Sequence, residues 1–189
     1  MPFMRVLSVV VVILSALPAL ADDVCAELWF TRNLIFDRAG YCFGSNLGQA
    51  LFDNSDCTTR SPDLNASDAD KVARLRANET MLQCATDTSE TRLDLEGVVD
   101  LRRLQDLPVR AGTQIGCVGW RGGRVPLLAG NSDDAPEIGQ IVRGDAIGFL
   151  HESEDEWDFL TVFWGPGDGQ FGWTREDTRK PENCAQITG

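Results

Sequence analysis

The chain has 189 residues, 43% hydrophobic and 24% charged, with 18 Gly and 8 Pro, proportions that exclude collagenous, coiled-coil and wholly disordered chains. Lys and Arg number 17 against 29 Asp and Glu, a formal net charge of −12 that the single His cannot reverse. A chain repelled by phosphate is a poor binder of nucleic acid or of anionic membranes.

Residues 1–21 read as a cleaved secretory signal: Arg5, an apolar run from Val6 to Leu17, and Ala19-Leu20-Ala21 ahead of Asp22-Asp23. The run is interrupted by Ser8, Ser15 and Pro18 and falls short of the roughly 20 apolar residues a membrane span needs. Cys25 follows Asp22-Asp23-Val24 rather than small residues, which disfavours a lipid anchor. The expected location is therefore periplasmic or secreted, with no membrane anchor after cleavage.

All six cysteines, Cys25, Cys42, Cys57, Cys84, Cys117 and Cys184, follow that segment. An even number in an oxidising compartment implies three disulfides. With no C-x-x-C spacing and one imidazole, His151, a thiolate zinc site is disfavoured and no cofactor is expected. Two bridges are expected among the first four cysteines, with Cys117–Cys184 closing the C-terminal part.

In chain order, Leu28, Trp29, Ile35 and Phe36 share a helical face from Cys25 to Phe36, with Gly40 as the stop. Tyr41-Cys42-Phe43 reads as an extended link, and Leu47–Phe52 as a short helix begun by Ser45 or Asn46 and ended by the turn Asp53–Asp56. Thr58–Ala66 is a loop, and Ser67 caps a helix over about 68–84. The sequons at Asn65 and Asn78 read as incidental, and 87–106 fits strand or helix equally. From Ile115 the texture changes to short alternating runs between Gly-rich turns: Ile115–Trp120, Val125–Leu128, Glu137–Val142, Ala146–Leu150, Phe159–Trp164 and Gly169–Trp173. That spacing predicts a small antiparallel barrel after a boundary between about 106 and 114.

Two stretches carry family resemblances. Glu27, Leu28, Arg32, Asn33, Ile35, Phe36, Arg38, Gly40, Tyr41, Phe43, Leu47 and Phe52 follow the pattern of the bacterial YARHG domain, which residues 25–57 resemble; the signature stands here as Asp37-Arg38-Ala39-Gly40, with Ala in place of His. The resemblance implies an extracytoplasmic protein associated with the cell wall. Physically, the aromatic stripe is a fold nucleus, with Arg32-Asn33 bonding the following backbone. Further on, Ile138-Gly139-Gln140-Ile141, Arg143-Gly144-Asp145, Trp157 and Gly169-Gln170-Phe171-Gly172-Trp173 resemble a bacterial SH3-like module, which implies a five- or six-stranded barrel that binds wall peptide or protein.

The expected fold is thus α+β: a disulfide-stapled helical YARHG-like domain over 22–106 and an SH3-like antiparallel β-barrel over 112–184. Trp157 and Trp173, at strand positions, are expected in the core. Trp120, Trp164 beside Gly165-Pro166-Gly167, and Phe171 are the candidate aromatic platform. Glu154, Asp155 and Glu156 belong to an acidic run, Glu152–Asp158, that is either a solvated hairpin or an acidic rim for basic ligands. His151 is expected at a surface or half-buried strand end, without a nucleophile and orienting partner. The expected function is non-catalytic recognition of peptidoglycan or an envelope protein; the alternative is a structural or inhibitory module docking a basic partner through the acidic run.

Overall fold

The computed structural model describes residues 19–95, 98–165 and 168–189; the signal segment expected at 1–21 lies almost wholly outside them. Among the described residues four α-helices precede seven strands. Helix α1 (Ala19–Arg38) ends at Gly40, whose φ of +78° suits glycine, and a Cβ there would meet the Thr58 hydroxyl at 2.6 Å. The expected single face is too narrow a description. Leu28, Trp29, Phe30, Thr31, Asn33, Leu34 and Ile35 are all buried, so α1 runs through the middle of the helical part rather than along its surface.

Helix α2 (Asn46–Leu51) starts at Ser45, whose hydroxyl accepts from Gly48 N. Helix α3 (Ala66–Met81) starts earlier than the sequence suggests. Its cap is Asn65, not Ser67: the Asn65 side chain accepts from Asp68 N at 2.9 Å. The same residue is a sequon asparagine, and its cap role explains its presence without a glycan. In the ambiguous stretch the described residues are turns and irregular chain around one short helix, α4 (Val98–Leu101). The three disulfides are Cys25–Cys84, Cys42–Cys57 and Cys117–Cys184.

The strands are β1 (Arg110–Trp120), β2 (Val125–Leu128), β3 (Glu137–Ile141), β4 (Ala146–His151), β5 (Asp158–Gly165), β6 (Asp168–Thr174) and β7 (Cys184–Thr188). They form one antiparallel sheet in the order β3-β2-β6-β5-β4-β1-β7. The expected closed barrel of five or six strands is not formed. Its extra strand is the reason: β7, tied to β1 by Cys117–Cys184, pairs along the β1 edge that closure would otherwise use. The sheet is nevertheless curled, because β2, β3 and β7, at and near its two ends, contribute to one buried cluster with Cys117, Trp120, Leu127, Ile141, Ile147, Leu160, Val162 and Cys184.

The opposite face packs on the helices. Phe159 and Trp173 of the sheet, with Trp157 just before β5, join Leu28, Phe30, Leu47, Phe52, Leu75, Leu104 and Val109 in a single cluster. The helical and sheet parts therefore share a core across the expected boundary. Polar ties fasten the seam. Lys71, buried on α3, donates to Leu107 O at 3.0 Å and pairs with Glu154 at 3.0 Å. Arg74 reaches Glu152 at 2.8 Å, Asn78 Nδ2 donates to Arg110 O at 2.7 Å, and Trp173 Nε1 donates to Asp106 O at 2.8 Å. Asn78, the second sequon asparagine, is thus spent on holding α3 to β1. Among the described residues no helix is long and apolar enough to cross a membrane.

Candidate functional site

Where α1, Leu95 and Asp100-Leu101 meet the sheet, a cleft of about 840 Å³ opens. Strand alternation builds its wall: Phe159, Thr161 and Phe163 of β5 face it, while Leu160 belongs to the other core. Gly148 on β4 lets the Phe163 ring lie close against the sheet, since a Cβ there would come within 2.8 Å of that ring. Phe171 of β6 completes the aromatic wall and also lines a smaller adjoining cavity of about 150 Å³.

The floor is charged. Glu27, one residue before the buried Leu28, accepts from Arg110 Nη1 at 2.8 Å with one oxygen and meets His151 Nε2 at 2.5 Å with the other. Arg110 and His151 are direct partners across the antiparallel β1–β4 pair, which places their side chains side by side. The side chains of Glu27, Arg110 and His151 are only 14%, 12% and 3% exposed. Burial pushes the Glu27 carboxyl up, but His151 and then Arg110 outweigh it and hold it below the usual glutamate range. An ionised carboxylate only accepts, so Nε2 of His151 carries the hydrogen. His151 also meets Phe159 edge-on, 4.7 Å between ring centres.

His151 is therefore neither a surface nor a half-buried strand-end residue; it is buried and held by a carboxylate on the first helix, 124 positions away in sequence. The acidic residue opening the YARHG-like pattern, Glu27, is the partner that sequence spacing could not reveal. The Arg32-Asn33 pair also differs from expectation. Asn33 Nδ2 donates back to Trp29 O at 2.7 Å and Arg32 pairs with Glu79 at 3.0 Å, while Arg38 is the residue that captures loop backbone, at Leu104 O (2.6 Å) and Gln105 O (3.1 Å).

Of the candidate ligand residues, only Phe171 reaches the cleft. Trp120 is 3% exposed and packed inside the curled sheet, with Nε1 donating to Gly123 O, so it is core and not a platform. Trp164 is exposed as expected, at 57%, but does not line the cleft. Trp157 and Trp173 are core, as expected. In the acidic run, Glu154 and Trp157 exchange two backbone hydrogen bonds of 2.9 Å around Asp155, whose φ is +52°. Glu152 and Glu154 turn onto α3, Asp158 pairs with Arg179 at 2.8 Å, and Glu156 lies 3.8 Å from Arg175. Four of its carboxylates thus face internal cations, and only Asp155 has none within ion-pair distance among the described residues.

Residues 14–80 match the YARHG domain family, a longer span than the motif residues suggested and one that begins inside the expected signal segment. Residues 83–189 match a second family, whose description names no SH3 module. The junction between the two matches falls where α3 ends. Neither a curated protein nor a solved structure matches the chain. Since the second match takes in more than half of the residues, the protein belongs to the family described as Domain of unknown function (DUF4453), with a YARHG domain ahead of it.

Proposed function

We propose that this is a non-catalytic protein, exported to the periplasm or beyond after loss of residues 1–21, whose cleft recognises peptidoglycan or a protein of the envelope. The observation that carries the reading is the cleft itself: aromatic walls from Phe159, Phe163 and Phe171 over a small, buried polar floor, the usual make-up of a ligand site. Three disulfides fit an oxidising compartment. The finer SH3-like reading of the curled sheet rests on its short antiparallel strands wrapped around one core. Docking of a basic partner on the acidic run draws less support, because that run already faces Lys71, Arg74, Arg175 and Arg179.

The test is retention of the disulfide-bonded protein on purified peptidoglycan sacculi at low and high salt. Retention that survives high salt and falls in Phe171→Ala, but not in Trp164→Ala, supports recognition through the cleft. Retention lost at high salt assigns it to charge alone, and no retention at either salt removes the wall as partner.

A further inference from the structure

One row of the antiparallel register crosses five strands along the cleft. Thr188 of β7 faces Gly116 of β1, Gly116 faces Gly148 of β4, Gly148 faces Thr161 of β5, and Thr161 faces Phe171 of β6. All five residues line the cleft, so along the sheet it is a groove that runs across the strands. Four interstrand steps give that row a length of about 19 Å. The two glycines are where neighbours lean in. A Cβ on Gly116 would meet the Thr188 hydroxyl at 2.7 Å, and one on Gly148 would come within 2.8 Å of the Phe163 ring. Phe163 is 44% exposed and lines the cleft as well. The sheet wall that a ligand meets therefore alternates hydroxyl and aromatic ring along its length: Thr188, Phe163, Thr161, Phe171.

None of these residues is charged, in a chain where 24% of residues are. The charges that line the cleft lie outside the row: Glu27 takes Arg110 and His151, Asp100 meets Arg103 at 3.1 Å, and Asp168 stands where β6 begins. The row holds no cation for an anionic polymer, and Asp100 and Asp168 would repel one. An extended peptide fits less well than a sugar chain. Lying across the strands it could not join the sheet's ladder, so its own N–H and C=O groups would go largely unanswered over two aromatic rings. A neutral saccharide chain has the complementary make-up, since each sugar carries hydroxyls around its edge and presents an apolar C–H face that lies well on an aromatic ring. We propose that this row binds an extended, uncharged saccharide chain, with sugar rings against Phe163 and Phe171 and sugar hydroxyls bonded to Thr161 and Thr188. This rests on the recognition reading of the same cleft and narrows its ligand to the glycan strand of the wall.

The disulfide-bonded protein, labelled with ¹⁵N-glycine, is titrated with cellotetraose and chitotetraose, both extended and uncharged. In parallel it meets maltotetraose, which curls, glucose, and an uncharged capped peptide of alternating Ala and Thr. The expected result is a saturable shift of the Gly116 and Gly148 amide signals with at least one extended tetramer, at a dissociation constant on the order of 1 mM. Glucose, which reaches only one ring of the row, is expected to bind about tenfold more weakly or worse. Phe163→Ala removes an exposed ring and weakens the tetramer about tenfold, the effect of one aromatic contact, while Phe163→Trp retains binding. Trp164→Ala, which removes an exposed ring outside the cleft, leaves the affinity unchanged. Glycine signals that no tetramer moves, or a tetramer affinity that Phe163→Ala does not change, overturn the assignment. A response to the peptide alone overturns it in favour of a protein partner, and maltotetraose binding as tightly as the extended tetramers overturns the linear row. Sacculus retention with silent glycine signals overturns the saccharide while keeping the recognition reading. A tetramer response without retention upholds the saccharide and overturns the wall as its source.

Discussion

Replacing Glu27 by Gln tests the charged floor on which both the seam and the cleft depend. The substitution keeps the volume but removes the charge, leaving Arg110 and His151, 12% and 3% exposed, facing a neutral amide. Removing one partner of a buried ion pair costs about 3–5 kcal/mol. The residual exposure of Glu27 and the one hydrogen bond Gln still accepts bring the expectation to about 2–3 kcal/mol. In a chain of this size each kcal/mol lowers Tm by roughly 2–4 °C, so the Glu27→Gln protein is expected to melt about 4–12 °C below the parent at neutral pH. The pH dependence follows from linkage. Glu27 is held below the usual glutamate range, so its stabilisation is present above the unfolded value of about 4.3 and is lost as pH falls through the depressed folded value. Protonated Glu27 resembles Gln, and the Tm gap should therefore close on acidification. Thermal melts followed by circular dichroism across that range check both statements. A gap under about 1 °C at neutral pH, or one that stays constant into acid, refutes the argument that the Glu27 charge bridges α1 to the sheet.

The cap of α3 gives a paired comparison: Asn65→Ala is expected to cost about 1 kcal/mol in urea denaturation and Ser67→Ala much less, because only Asn65 accepts from Asp68 N. Equal losses would contradict the assignment. Replacing Cys117 and Cys184 together by Ser opens a bridge spanning 67 residues and is expected to cost about 2–5 kcal/mol. Hydrogen exchange should then rise in Cys184–Thr188 well before β4, β5 and β6 lose protection, since β7 pairs with β1 alone; uniform loss across the sheet would show that β7 is not a separable edge.

Local signals are legible where a residue acts on its own neighbourhood. Ser45 caps α2, Gly40 stops α1, and six of the seven strands lie where alternation and Gly-rich turns put them. The strand that alternation does not reveal, β7, has only Cys184 buried; an edge strand with one inward residue leaves almost no alternation to read. The first half of β1 is hidden for a related reason, since Arg110-Ala-Gly-Thr-Gln lacks apolar alternation. Trp120 is misplaced by sequence reasoning because an aromatic at a strand end is equally suited to a core and to a platform, and only the curl of the sheet decides which side it faces.

The sequence by itself determined the disulfide-bearing chemistry of the chain, its division into helical and stranded stretches, and the core roles of Trp157 and Trp173, because periodicity and residue type are local properties. Only the tertiary structure decided that the sheet stays open, that the helices and sheet share one core, and that the acidic run folds back onto α3. It alone joins Glu27 to Arg110 and His151. Contacts between residues 83 and 124 positions apart leave no trace in spacing, and a buried charge declares its partner only when the chain has brought the two together.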